Sequence, residues 1–406
     1  MSKIYAIIIL TVIAFIFSLL VYPFVLKFAV KRNILDNPDA RKLQRKPIPV
    51  MGGVAVFVGI FVANVVAFFI MPSGIMLSGL LSMLIMLGVG CWDDAKDISP
   101  VLRFLIEILV IWLMMFATDA QIDNFHGLWK LHRISLAVSA PLSIVAGVGI
   151  INALNLIDGV NGYSSGYGML ACLIFAIAFF YTRNFSMGTL CLITGAALSP
   201  FFLHNVFGKA SRMFIGDGGT LMVGTLMALC VFATLSGNSP STNLESRGVG
   251  IVAFTLSMLG IPVFDTLRVM TTRIFKKLSP FNPDKTHLHH LFIDAGFSHI
   301  GTSLSILIIQ TLIVIIWFLS WKIGISIDWQ FYIVLLASAL PTFVFYPAMR
   351  KSQAREGRFY KSFVSFGNYM RVNTTKSFKK FRKFVDCKSM GIDYYKTTDN
   401  EDLKEN

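Results

Sequence analysis

Long apolar runs recur along this 406-residue chain, and the polar residues between them are gathered into a few short segments. Runs near the roughly 20 residues needed to cross a bilayer extend from Ile4 to Val30, Gly52 to Met71 and Ile75 to Gly90. Others follow at about 104–118, 135–151, 162–181, 186–207, 218–237, 249–270, 301–320 and 329–347. The pattern predicts an all-α polytopic membrane protein with about 11 transmembrane helices. A hydrophobic content of 55% with only 14% charged residues leaves too little polar surface for a soluble globule.

Five polar segments carry the remaining chemistry: Asp36 to Pro49, Asp93 to Arg103, Asn152 to Asn161, Gly216 to Gly219 and Asp284 to His290. Counting crossings places all of them on one face. A charged side chain near the hydrocarbon layer costs roughly 2.5 to 3.5 kcal/mol at the centre on insertion scales, so repeated polar clusters at its edge mark a site.

The net charge of +14 invites a nucleic-acid reading, but the cations are arranged for a membrane. Lys31, Arg32, Arg41, Lys42, Arg45 and Lys46 fill the first loop, Arg273, Lys276, Lys277 and Lys285 the ninth-to-tenth loop, and the tail after Tyr346 is strongly basic. Loops on the opposite face are poorer in Lys and Arg, which by the positive-inside rule sets the polar segments and the tail in the cytoplasm and the amino terminus outside. The first run is too long for a cleavable signal peptide and is expected to remain as an anchor. Of five cysteines, Cys172, Cys191 and Cys230 fall within helical runs while Cys91 and Cys387 face the cytoplasm, with no CxxC spacing; neither disulfides nor a thiolate metal site is expected.

No linker divides residues 1–347, which read as one transmembrane catalytic domain, followed by a basic tail over 348–406. In that tail Phe359, Phe363, Phe366 and Met370 recur at helical spacing, as do Phe378, Phe381 and Phe384. Interleaved with Lys361, Arg371, Lys376, Lys379, Lys380, Arg382 and Lys383, they suggest amphipathic interfacial helices attracted to anionic lipids; a solvated disordered tail is the alternative. On the opposite side Asp119 to Arg133 reads as a small hairpin.

Asp93 and Asp94 close the third run in GCWDDAKDISP, with Lys96 and Arg103 just beyond. Carboxylates can hold a divalent ion or accept a proton while Lys and Arg grip phosphate oxygens, a mixture phosphate chemistry needs. In INALNLIDGVNG, Asn152, Asn155 and Asp158 are three apart and would share one face of a continuing helix before Asn161 and Gly162 leave it. Such oxygens suit Mg²⁺, which binds at about 2.0–2.1 Å with phosphates completing its shell. Asp217 in FIGDGGTLMVG stands where backbone N–H groups favour anions, though alone it could simply cap the helix. NPDKTHLHH brings together His287, His289 and His290, whose spacing does not match the i, i+4 zinc pair and fits donors to a diphosphate or sugar. The cations of the first loop, Lys46 among them, can steer an anionic substrate as well as fix topology.

Through PIPVMGG, WDD, NALNLIDGVNG, FIGDGG and SPFNPDKTHLHHLFIDAGF, in this order over residues 36–297, the chain resembles the polyprenyl-phosphate N-acetylhexosamine-1-phosphate transferases, glycosyltransferase family 4. The HLHH form is most similar to the branch using UDP-N-acetylglucosamine. The resemblance implies transfer of a sugar 1-phosphate from a UDP-sugar to undecaprenyl phosphate at the bacterial inner membrane, releasing UMP, to begin an O-antigen, capsule or related envelope polymer. Mg²⁺, with Mn²⁺ as substitute, is the implied cofactor. By motif, Asn155 and Asp217 would hold the metal and Asp93 and Asp94 would act on the lipid phosphate. Asp158 and Asn161 would lie near the uridine, with His287, His289 and His290 at the diphosphate or sugar. Lys46, Lys96 and Arg103 would be further phosphate contacts. The expected partners are thus a UDP-sugar, the lipid phosphate and anionic lipids at the tail, with a homodimer compatible and no nucleic acid. The tail and Gly219-Thr220 depart from the family pattern and leave another UDP-N-acetylhexosamine open. A cation-coupled transporter is the reading from a different class, but it calls for polar groups serving both faces and an internal repeat, and neither is evident.

Overall fold

The computed structural model describes residues 3–37, 47–96, 98–279 and 286–387, except the side chain of Cys387. Lys46 and Lys285 therefore lie outside the described residues. Among these, eleven helices are long and apolar enough to cross a membrane.

The first eight are α1 Lys3–Lys31, α2 Gly52–Ile70, α3 Gly74–Lys96, α4 Pro100–Thr118, α5 Leu136–Leu156, α6 Tyr163–Tyr181, α7 Phe185–Phe207 and α8 Gly216–Leu235. Then come α9 Ile251–Phe275, a short α10 Leu288–Asp294, α11 His299–Lys322, α12 Ile327–Ala339 and α13 Tyr346–Ala354. A π-helical stretch, Leu340–Phe345, joins α12 to α13 within a single span of 28 residues. Pro341, which lacks an N–H, sits in that stretch, and an interrupted hydrogen-bond ladder is how a helix absorbs such a residue.

Local chemistry starts the helices where the sequence changes character. Ser99 caps α4, its Oγ accepting from Leu102 N at 3.2 Å with Pro100 in the first turn, and Asn184 and Ser298 cap α7 and α11 in the same way. Outward faces remain apolar: Ile8, Phe24, Phe68, Leu105, Phe116 and Ile308 are exposed, as lipid contact requires.

At the centre stands α8, packed against α3 and α5, with α2 and α9 beside it. Every residue of α8 is buried except Asp217. A helix apolar all round belongs in a protein interior, so its one open acid at the end of the helix is conspicuous. Around this core α1 packs on α2 and α7, α6 on α7, and α9 on α11 and α12.

The polar segments do share one end of the bundle, where α3, α5, α7 and α9 finish and α2, α4, α6, α8 and α11 begin. At this end a two-residue antiparallel ladder, β1 Leu35–Asp36 with β2 Ile48–Pro49, closes the first loop. The opposite end carries the expected hairpin, in which Asn124 pairs with Arg133 and Phe125 N donates to His132 O at 3.0 Å.

Beyond Ala354 the aromatic spacing yields α14 Arg358–Tyr369 and α15 Lys376–Cys387. Both fold back against the site end instead of standing clear of the bundle. Phe363 packs against Phe292, Phe297 and Phe345, and Phe207 of α7 lies between Phe378 and Phe381. One expectation needs correction: α5 stops at Leu156, so Asp158 sits in the following turn and not on a helical face shared with Asn152 and Asn155.

Candidate active site

Glycines bring the carboxylates together. Gly53 lies against Gly219, and Gly90 against the backbone of Asp217 and Gly218, so closely that a Cβ on either would overlap its neighbour. The PIPVMGG strand follows the segment before α8, with Gly52 N donating to Phe214 O and Gly53 N to Ile215 O, each at 2.8 Å. The start of α2 and the end of α3 thus converge on the start of α8, where Gly216 takes a φ of +74° that favours glycine.

Asp94 reaches across from α3 and accepts from Asp217 N at 3.1 Å and Gly218 N at 3.4 Å. It fills the N-terminus of α8 with a negative charge, an arrangement worth about 0.3–1 kcal/mol at a helix start. The N–H groups expected to attract a bound anion are therefore taken by this carboxylate, and Asp217 is not itself the cap.

Asp217 instead projects sideways. Its Oδ1 accepts from Asn155 Nδ2 at 3.0 Å and its Oδ2 from Arg103 Nη1 at 3.4 Å. The same Nη1 donates to Asp93 Oδ2 at 3.0 Å, while Nη2 donates to Asn152 Oδ1 at 3.1 Å and Nε lies 3.4 Å from Glu107 Oε1. Asp93 Oδ1 also accepts from Ile98 N at 2.8 Å, tying the end of α3 to the residues just before α4. Asn155 Nδ2 has a second partner in Thr220 Oγ1, at 2.9 Å.

The guanidinium of Arg103, an expected phosphate contact, reaches four protein side chains. Lys96, the last residue of α3, is exposed at the rim. Glu107 was missed. It is fully buried inside the apolar run of α4 and accepts from Asn152 Nδ2 at 2.5 Å. A lone acid four residues beyond an arginine in a membrane run is the signal that could have found it.

Across the opening, Gly162 starts α6 at φ +79°, its N–H donating to Asn205 Oδ1 at 2.7 Å. Asn161 is fixed by its backbone: its N–H donates to His299 Nδ1 at 3.4 Å and its carbonyl accepts from Ser303 Oγ at 2.8 Å. Asp158 accepts from Ser164 Oγ at 2.5 Å. It keeps access to solvent but is surrounded by protein, and the displaced water pushes its carboxyl up to about 6, opposed by the Ser164 hydroxyl and assisted by the Asp217 and Asp36 charges.

The histidines divide. His289 is buried directly over Gly159, joining the His segment to the LIDGVNG turn. Burial, together with His290 and His287 nearby, holds it well below the usual histidine range, so it is neutral at neutral pH. His290 is only half-buried, its ring centroid 4.3 Å from that of His289. His287 is buried and its Nδ1 lies 3.0 Å from Asp265 Oδ2, which also accepts from Leu288 N at 3.0 Å. Asp265 Oδ1 pairs with Arg268 Nη2 at 2.6 Å, and that Nη2 donates to Thr286 O at 2.5 Å. The Arg268 guanidinium stacks 3.7 Å above the Tyr346 ring. Sequence reading missed Asp265 and Arg268, which lie three apart within the apolar run of α9.

The donor chemistry fits a hard divalent ion. Asp217, Asn155, Asp93 and Asp94 offer only oxygen and amide groups, and their carboxylates outnumber the one guanidinium between them. Among the described residues no three His, Cys, Asp or Glu form a ready-made cage. Mg²⁺ requires none, since one or two carboxylates plus phosphates and water complete its shell.

Eleven membrane-length helices with a cluster of acids, amides and an arginine at one end define a polytopic membrane protein with a polar site suited to phosphate chemistry. Residues 76–235 match the profile of glycosyl transferase family 4. Over 293 residues the chain is 32% identical to the Bacillus subtilis (strain 168) "Probable undecaprenyl-phosphate N-acetylglucosaminyl 1-phosphate transferase", covering 71% of this chain and 78% of that one. It is 26% identical over 352 residues to the undecaprenyl-phosphate alpha-N-acetylglucosaminyl 1-phosphate transferase of Yersinia pestis, with 86% and 93% covered. The enzyme of the same name from Escherichia coli O157:H7 is 27% identical over 360 residues, with 86% and 92% covered. The chain belongs to glycosyl transferase family 4, in the branch of these N-acetylglucosamine-1-phosphate transferases.

Proposed function

We propose that the protein transfers N-acetylglucosamine 1-phosphate from UDP-N-acetylglucosamine to undecaprenyl phosphate, releasing UMP, at the cytoplasmic face of a bacterial inner membrane, and so begins an envelope glycan. The observation that carries this is Asp217, the one open residue of α8, held between Asn155 and Arg103 at the end of the bundle. The relatives' names supply the substrates; the excess of Lys and Arg at the site end supports the orientation.

In this reaction a lipid-phosphate oxygen forms a bond to the sugar-linked phosphorus, and the bond from that phosphorus to the bridging oxygen of UMP breaks. Both reactants are anions, so positioning and charge neutralisation do most of the catalysis. Asp217 and Asn155 would hold Mg²⁺ or Mn²⁺, which when bound neutralises the diphosphate and favours departure of UMP. Asp93 orients the lipid phosphate beside Arg103, and Asp94 fixes the backbone from which Asp217 projects. Asp158 and the Asn161 turn lie toward the nucleoside, with His290 the histidine best placed to meet substrate. The lysines of α15 would seat on anionic headgroups, at about 1 kcal/mol per cation near the surface.

Purified protein is incubated with undecaprenyl phosphate, Mg²⁺ and each of several UDP-sugars, and UMP release and product mass are measured. UMP and the diphosphate-linked lipid with UDP-N-acetylglucosamine, abolished by EDTA, are expected. Product with a different UDP-sugar only would reassign the donor, and no product with any of them from folded protein would sink the reading.

A further inference from the structure

The C-terminal helices touch both halves of the site without entering it. On one side, Phe378 and Phe381 flank Phe207 with ring centroids 5.1 and 4.7 Å away. Asp386 then accepts from Lys209 N at 3.0 Å, Ser211 N at 3.3 Å and Ser211 Oγ at 3.1 Å, all at its Oδ1. Ser211 is itself anchored inward, its carbonyl accepting from Tyr22 Oη at 2.7 Å and its Oγ lying 2.9 Å from His204 Nδ1. From there the chain runs straight to Asp217, pinned on the way by Asn205 Nδ2 on Met213 O at 2.9 Å and by Phe214 N on Pro49 O at 2.8 Å.

On the other side, α14 and the residues that follow it hold the connection after the histidines. Tyr360 Oη donates to Asp294 O at 3.1 Å, Arg371 Nε to Gly296 O at 3.0 Å, and Ser298 Oγ to Met370 O at 3.1 Å. Immediately after Ser298 comes His299, whose Nδ1 receives the Asn161 amide.

Asp386 is out of place by local rules. It occupies the last turn of α15, where the helix dipole disfavours a negative charge, in a helix otherwise rich in Lys and Arg. Its tertiary contacts explain the position: a carboxylate accepting backbone N–H groups forms charge-assisted bonds, about twice as strong as neutral ones.

We propose that α14 and α15 form a positioning strap for the transferase site. Asp386, Phe378 and Phe381 fix the turn at 207–212 that leads into Asp217, while α14 fixes the connection between His290 and His299. The segment from α14 to α15 thereby sets the register between the acidic and histidine halves. Asp386 is a positioning residue, touching no reacting atom. The turnover readout rests on the transferase reading above; the exchange readout does not.

The test uses the full-length chain and the variants Asp386→Ala, Asp386→Asn and Phe381→Ala. Amide hydrogen exchange over residues 207–216 and UMP release are measured together, with the melting transition recorded for each. Asp386→Ala should expose the amides of Lys209 and Ser211 to exchange and lower kcat by about 10- to 100-fold, as a sub-ångström to ångström displacement does, while KM for UDP-sugar moves little. Asp386→Asn keeps one acceptor oxygen without the charge and should fall between the parent and Asp386→Ala in both readouts, as should Phe381→Ala, which covers a failure of Asp386→Ala to fold. Unchanged exchange in Asp386→Ala and Phe381→Ala would overturn the strap, as would faster exchange with unchanged turnover. Equal losses in Asp386→Asn and Asp386→Ala would replace the clamp with a charge effect. If the parent protein releases no UMP, the transferase reading fails, and the strap's docking is decided by exchange alone.

Discussion

Two acid–arginine clusters, one buried and one open, stand at the same end of this bundle, and they serve opposite purposes. Around Asp265, every lone pair is directed inward: Arg268, His287 and the Leu288 amide surround a carboxylate that is 2% exposed. Around Asp217, Arg103 and Asn155 each supply one bond and the side chain remains 38% exposed. The first cluster is satisfied and therefore holds a segment in place. The second is incomplete and therefore has capacity for a cation or a phosphate. Residue type does not separate the two; exposure and partner geometry do.

Substitutions should separate them more sharply. Asn155→Ala is expected to lower turnover by about 10²–10³-fold, the usual consequence of losing one preorganised electrostatic contact, at a stability loss of only about 1 kcal/mol. A large fall in melting temperature with modest loss of turnover would make Asn155 structural. Asp265→Asn should do the reverse, because it leaves Arg268 buried without its counter-ion at a cost of about 3 kcal/mol or more. Thermal unfolding should shift clearly, with KM for UDP-sugar rising as the His segment loosens; an unshifted melting curve would break the contrast.

Gly90→Ala tests how the open cluster is assembled. Its Cβ would meet the backbone of Asp217 and Gly218, so α3 and α8 must part, at about 1–3 kcal/mol. Turnover should fall with Asp217 still present, whereas parental kinetics would show that the close approach is dispensable. The smallest effect expected is a pH dependence from Asp158. Its carboxyl is raised to about 6, so it loses its charge as pH falls through that value, and protonation there favours the folded state. Activity should decline below about pH 6 without any loss of stability from this group, and Asp158→Asn should flatten that limb. An acid limb unchanged in Asp158→Asn assigns the titration elsewhere.

Much of this arrangement was legible in the sequence, for identifiable reasons. The spans follow from runs of hydropathy, and the common end of Asp93, Asn155, Asp217 and His287 follows from counting crossings. Glu107, Asp265 and Arg268 escaped because each is embedded in an apolar run whose average conceals it. The role of Asp94 as cap of α8 depends on Gly90 meeting Gly218, a tertiary contact that no spacing encodes. Asp158 was placed on a continuing helix because Asn152, Asn155 and Asp158 keep helical spacing; the helix ends at Leu156, one turn early. The aromatic repeat in the tail announced two helices, yet gave no sign that Asp386 would close on the turn before Asp217.

In the proposed reaction the sugar phosphate is transferred at the open acid of α8. UMP release from UDP-N-acetylglucosamine and undecaprenyl phosphate, compared between the parent protein and Asp217→Asn at matched melting temperatures, tests it most directly. Release by the parent and none by the variant is the predicted result. Parental rates from Asp217→Asn would contradict it and move the chemistry to another part of the site.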